Sequence, residues 1–193
     1  MPFPSLPRRR SGPSRSILFD ARGATIVEFA LVATPFIALL LAIMQASLAY
    51  LAQEALESAV EVAARSVITG QAQAGDIQGS GTGMTQAQLA ERFRRNGCAA
   101  LPSFMSCARL YVDVKSAATG TALGSNAMSL TFDANGKPTN SFSYDLGEQG
   151  ALVMVRFIYL WPMRVAPNAD LTGKGSGQTV LMATSVSKSE AYT

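Results

Sequence analysis

The 193-residue sequence contains no histidine and only two cysteines. Without histidine there is no Ser-His-Asp or Cys-His nucleophile, no His-ligated zinc and no imidazole base. Two thiols are too few for a four-thiolate zinc or iron–sulfur centre. Charge is scarce as well. Asp, Glu, Lys and Arg make up 15% of the chain against 48% hydrophobic residues, where a soluble domain usually carries about a quarter charged residues. Ser, Asp and Lys are present, but no nucleophile–base spacing can be read among them. The chain therefore reads as non-enzymatic, with no cofactor and no metal.

The charge that exists is unevenly placed. The formal net charge is +3, yet residues 1–23 hold Arg8, Arg9, Arg10, Arg15 and Arg22 against Asp20, a net +4. Residues 24–193 are left at −1, with 11 Lys/Arg and 12 Asp/Glu. They show no basic stripe and no interleaving of aromatic with basic residues, which excludes a nucleic-acid surface.

Directly after the arginines stands the most apolar part of the chain. The run Phe29 to Met44, FALVATPFIALLLAIM, carries no charge, and from Ala24 to Ala52 the only ionisable group besides Tyr50 is Glu28. A bilayer core of roughly 30 Å needs about 20 apolar residues, so this segment is long enough to span. Arginines before it and Glu54, Glu57 and Glu61 after it place the N-terminus in the cytoplasm and the C-terminal region outside. Pro35 would break a soluble helix but is tolerated in a membrane helix.

The border between basic leader and apolar run reads Arg22-Gly23-Ala24-Thr25-Ile26-Val27-Glu28-Phe29. Gly23 allows a protease close backbone approach in extended geometry. A carboxylate just inside a membrane helix is costly, so Glu28 needs a partner or a purpose. Cleavage after Gly23 would expose an α-amino group on Ala24. A neighbouring subunit could present that amine to Glu28 in a low-dielectric setting and so fix axial register. Alternatively Glu28 sits at headgroup level, favoured only by the helix dipole. A second cleavage reading also stands: Ser47-Leu48-Ala49 suits an ordinary signal peptidase, which would release a domain beginning at Tyr50.

Beyond the span, Leu51, Ala55, Leu56, Ala59, Val62, Ala63 and Val67 share a broad helical face. One helix is expected from Ala24 to Ile68, about 65 Å at 1.5 Å per residue, stopped by Gly70. The glycine-rich stretch Gln71 to Gly83 reads as a flexible loop; it follows no strand and lacks the Gly-Lys-Ser/Thr of a phosphate loop. Thr85 and Gln88 form a capping box that opens a helix to about Asn96, with Gly97 as its stop. Glu91, Arg92, Arg94 and Arg95 read as its solvated face. Cys98 and Cys107 read as one disulfide of an oxidising compartment, stabilising by about 2–3 kcal/mol. Strands are expected at Leu110–Lys115, Met128–Phe132 (followed by an Asn135-Gly136 turn), Ala151–Trp161 as the central one, and Thr179–Ser187. The fold class is α+β: a long N-terminal membrane-spanning helix continuing into a domain whose antiparallel sheet, of about four strands, packs on the helix's outer half. The organisation is residues 1–23 as leader, 24–52 as transmembrane helix, 53–70 as its extension, 71–84 as loop and 85–193 as the external α+β region.

The stretch GATIVEFALVA resembles the type IV prepilin processing site, and in particular that of the Flp/Tad branch. Phe29 stands where Flp-type major pilins usually have tyrosine. CAALPSFMSCARLYVDVKS, VMVRFIYLWP and TVLMATSVSKSEAY look like the C-terminal region of TadE-like proteins, minor pilins or pseudopilins of the tight-adherence pilus. The resemblance implies a pilin-like domain and a role in pilus biogenesis. It also implies a prepilin peptidase that cuts after Gly23 and reads Glu28, and as further partners other Tad pilins, the assembly machinery and the bilayer. It places the chain in a bacterial inner membrane, with the C-terminal domain periplasmic. The competing expectation is a secreted or anchored binding or adhesion domain that never joins a filament.

Overall fold

A computed structural model describes residues 24–120, 123, 129–162 and 178–190. The chain divides into two units, Met1–Ala42 and Ile43–Thr193, each described here by itself. Helix α1, Ala24–Ile68, contributes residues to both. Its bounds are those expected from composition: 45 residues without an internal glycine. Pro35 lies within it, and Thr34 Oγ1 donates to Ala30 O at 2.7 Å in the same turn. The Ser47-Leu48-Ala49 stretch lies inside the helix, with Ser47 Oγ on Ile43 O at 2.9 Å.

In the second unit, α1 buries Ala52, Leu56, Ala59, Val60, Ala63, Ala64 and Val67, a stripe of helical spacing rich in alanine. Leu51 and Val62, expected on that face, are each 59% exposed. They lie roughly a third of a turn from the stripe's centre, so the buried face is rotated from the expected one.

The stripe packs on a three-stranded antiparallel meander in the order β1-β2-β3. Its strands are β1 (Leu110–Ala117), β2 (Leu152–Pro162) and β3 (Gln178–Lys188). Val153, Val155, Phe157 and Tyr159 of β2, with Leu181 and Ala183 of β3, complete the core. Every residue from Val153 to Leu160 is buried, Arg156 included, which explains why this central strand is apolar on both faces, broken only by that arginine, rather than alternating. The expected Met128–Phe132 strand does not form. Met128 lies outside the described residues, and Phe132 makes only an isolated bridge to Pro138. Asp133 N and Thr139 N bond across it, but Thr131 N and Lys137 N donate to the Asn140 and Asp133 side chains instead of continuing the ladder. The Asn135-Gly136 turn is present: Gly136 has φ 74°, and Asp133 Oδ1 accepts from the N–H groups of Asn135 and Lys137 at 2.9 and 2.8 Å.

The β3 edge is fixed by three bonds. Ser189 N donates to Ala151 O at 2.9 Å, so odd-numbered residues of β3 face β2 and even-numbered ones turn their N–H and C=O outward. On the outer side Gln53 Nε2 donates to Met182 O at 3.1 Å and Glu190 N to Ile68 O at 3.2 Å. Helix α1 thus guards the edge at two points. At the other edge, Val114 N donates to Ser143 O and Asp145 N to Val114 O.

Two expectations about helices are corrected. Gly70 does end α1, with φ 74°, but Gln71–Gly81 is a second helix, α2, and not a loop. Its glycines are sites of close approach. A Cβ at Gly75 would lie 2.9 Å from the Arg92 guanidinium, and one at Gly79 2.8 Å from both Leu89 and Met84. Helix α3, Gln86–Ala99, opens with the expected Thr85–Gln88 capping box. It runs through Gly97, however, whose missing side chain makes room for the Phe157 ring.

Candidate functional site

The site singled out by the sequence is the start of α1. Gly23 lies outside the described residues. Ala24 is the first residue of the helix, and Glu28 and Phe29 follow one turn later, both exposed, Phe29 by 74%. Among the described residues no hydrogen bond or ion pair reaches the Glu28 carboxylate. Around it Ile26, Val27, Leu31 and Val32 are 59–71% exposed. An 18-residue window of this helix is apolar enough to cross a membrane, and none of it is buried by the chain itself. Water would penalise that surface at roughly 25 cal/mol per Å², so it requires an apolar medium or a partner. The hydroxyls of Thr34 and Ser47 bond carbonyls one turn back, which removes them from any need for water.

In the second unit, Cys98 and Cys107 form the expected disulfide with Cα atoms 5.7 Å apart, tying the end of α3 to a short 3₁₀ turn, Cys107–Arg109, before β1. Arg94 reinforces the staple: it grips Glu91 with two bonds of 2.7 Å and reaches Cys107 O at 2.6 Å. The Arg94 guanidinium, aided by Arg95 against some burial, holds the Glu91 carboxyl down to about 2.

Arg92 leaves the expected solvated face. It pairs with Asp76 of α2 at 2.7 Å, and the Tyr144 hydroxyl donates to the second Asp76 oxygen at 2.8 Å. Burial, and then that bond to the Asp76 carboxylate, push the Tyr144 phenol well above its usual range. These groups line a cleft of about 340 Å³ with Ser66, Gly75 and Asn96. Sequence reasoning missed this network. Asp76 is the lone charge in the glycine-rich stretch, and only the fold of α2 brings it to Arg92. Among the described residues no group of His, Cys, Asp or Glu could hold a metal ion.

The family model described as TadE-like protein matches residues 23–65. This segment is similar to TadE-like proteins. The match begins at Gly23, takes in Glu28 and the exposed apolar helix, and runs on into the buried stripe of the second unit. It takes in the GATIVEFALVA stretch, whereas the three C-terminal stretches that resemble TadE-like proteins lie outside it. No curated protein and no solved structure matches the chain.

Proposed function

We propose that this TadE-like chain is a minor pilin or pseudopilin of the tight-adherence pilus, a non-enzymatic subunit of pilus assembly. The observation that carries the reading is the TadE-like match starting at Gly23 and covering a helix whose apolar surface is left uncovered by its own chain. The helix anchors the chain in the inner membrane by a single pass, N-terminus inward. A prepilin peptidase removes the leader after Gly23. The helix then packs laterally against other pilins, and Glu28 meets the new Ala24 amine of a neighbour. Where the apolar surface excludes water, such a pair is worth more than an exposed one, and a carboxylate left without it is strongly unfavourable.

N-terminal sequencing of the mature protein tests the first step. A chain beginning at Ala24 supports it, and one beginning at Met1 or Tyr50 refutes it. For the second step, Glu28→Ala should still insert into the membrane while assembled pili fall sharply in number. Normal piliation by that variant removes the pairing role.

A further inference from the structure

The second unit carries an aromatic ledge at one end, and two bonds establish which end it is. Gln53 and Ile68 of α1 bond Met182 and Glu190 respectively. Fifteen helical residues, about 22 Å, therefore run beside eight residues of extended chain, about 27 Å, in the same direction. Strand β2 runs the opposite way. It continues past Ile158, the partner of Met182, to Trp161, about 10 Å farther on. The same distance down α1 from Gln53 reaches about Ala46. Trp161 thus lies level with the apolar start of this unit, where Met44, Leu48, Tyr50 and Leu51 are 43–76% exposed.

Phe104 stands edge-on to Trp161, with ring centroids 6.3 Å apart, and is 56% exposed. Its loop is not free to fold the ring away. The Cys98–Cys107 disulfide closes it, and Ser106 N donates to the Tyr159 hydroxyl at 2.8 Å, with Tyr159 packed 6.3 Å from Trp161. Exposed Arg109 directly precedes Leu110, the strand partner of Tyr159. Trp161 is half-buried against the core. A tryptophan ring, apolar with one polar N–H, favours the membrane–water interface. The exposed Phe104 ring adds apolar area, and an arginine beside them favours anionic headgroups.

We propose that Phe104 and Trp161 form a foot that seats the folded unit on the headgroup layer of an anionic bilayer, with Arg109 toward the phosphates. The proposal rests on the membrane-anchored reading above. Lipid is the occupant because residues 43–51 are exposed on nearly every side at this level, as a surrounding apolar medium requires, and because the exposed Arg109 cation matches anionic phosphates.

Trp161 is the sole tryptophan and so reports on its own surroundings. The full chain is reconstituted in phosphatidylcholine–phosphatidylglycerol vesicles and tested for flotation. Trp161 emission is then read with lipids brominated high on the acyl chain and with aqueous iodide. Bromolipid quenching together with protection from iodide is the expected result. Arg109→Ala should lower the docked-to-undocked ratio about fivefold in the anionic vesicles and leave it unchanged in phosphatidylcholine alone. Phe104→Ser, at an exposed position, should reduce bromolipid quenching while flotation persists. A chain that floats with Trp161 open to iodide and untouched by bromolipid overturns the docking but not the anchor. A chain that does not float overturns both. Protection from iodide without bromolipid quenching, growing with protein-to-lipid ratio, assigns the ledge to a neighbouring subunit and overturns lipid docking.

Discussion

Gly97 shows how a single residue can be visible in the sequence for one reason and needed for another. In the sequence it reads as a helix stop, because glycine favours the left-handed conformation that ends helices. In the fold it lies within α3, and the Phe157 ring occupies the place of its side chain. Phe157 is fully buried, in an interior where side chains are close-packed. Gly97→Ala is therefore expected to destabilise the protein by about 1–3 kcal/mol through overpacking, despite alanine's better helix propensity. Urea unfolding of the detergent-solubilised chain, followed by Trp161 emission, measures it. An unchanged or raised midpoint would mean that α3 can shift away from β2. Asp76 was illegible for a related reason. A lone carboxylate among glycines carries no signal until another helix supplies Arg92.

At the scale of elements, legibility followed how local the cause was. Helix α1 was readable from end to end because its length, its lack of internal glycine and its stop at Gly70 are properties of neighbouring residues. The α3 capping box was readable for the same reason. Helix α2 was not: glycines weaken helices by about 1 kcal/mol each, and here packing against Arg92, Leu89 and Met84 repays that cost. The Met128–Phe132 strand failed conversely, since its alternation is real but the Asn140 and Asp133 side chains take the N–H groups of Thr131 and Lys137 that a ladder would need. Strand β3 yields a prediction of its own. Its even-numbered amides face the outer edge, so Thr184 and Val186 should exchange hydrogen faster than Leu181, Ala183 and Ser185. Residue-resolved hydrogen exchange of the intact protein checks this. Uniform protection along β3 would show that a further segment or subunit covers the edge.

For the whole molecule, the disulfide is the link that joins the helical layer to the sheet. It closes a separation of nine residues between α3 and the turn before β1, and Arg94 and Tyr159 hold the same corner. Replacing both cysteines by serine should lower stability by about 2–3 kcal/mol, read as a fall in thermal midpoint under non-reducing conditions. If wild type and variant melt together, the Arg94 and Tyr159 contacts hold the corner without the bond.

Taken alone, the sequence determined the long apolar helix, the cluster of arginines before it, the pairing of its two cysteines and the buried central strand. Each follows from composition or from spacing along one stretch of chain, where hydrophobic period and charge act over a few residues. Only the tertiary structure decided that the glycine-rich stretch is helical and which face of α1 is buried. It alone brought Asp76, Arg92 and Tyr144 together and set Phe104 against Trp161 at the end of the sheet beside residues 43–51. Those outcomes depend on contacts between distant segments, 16 and 68 positions apart in the Asp76 network and 129 between Gln53 and Met182, and such contacts leave no periodic trace in the residues that make them.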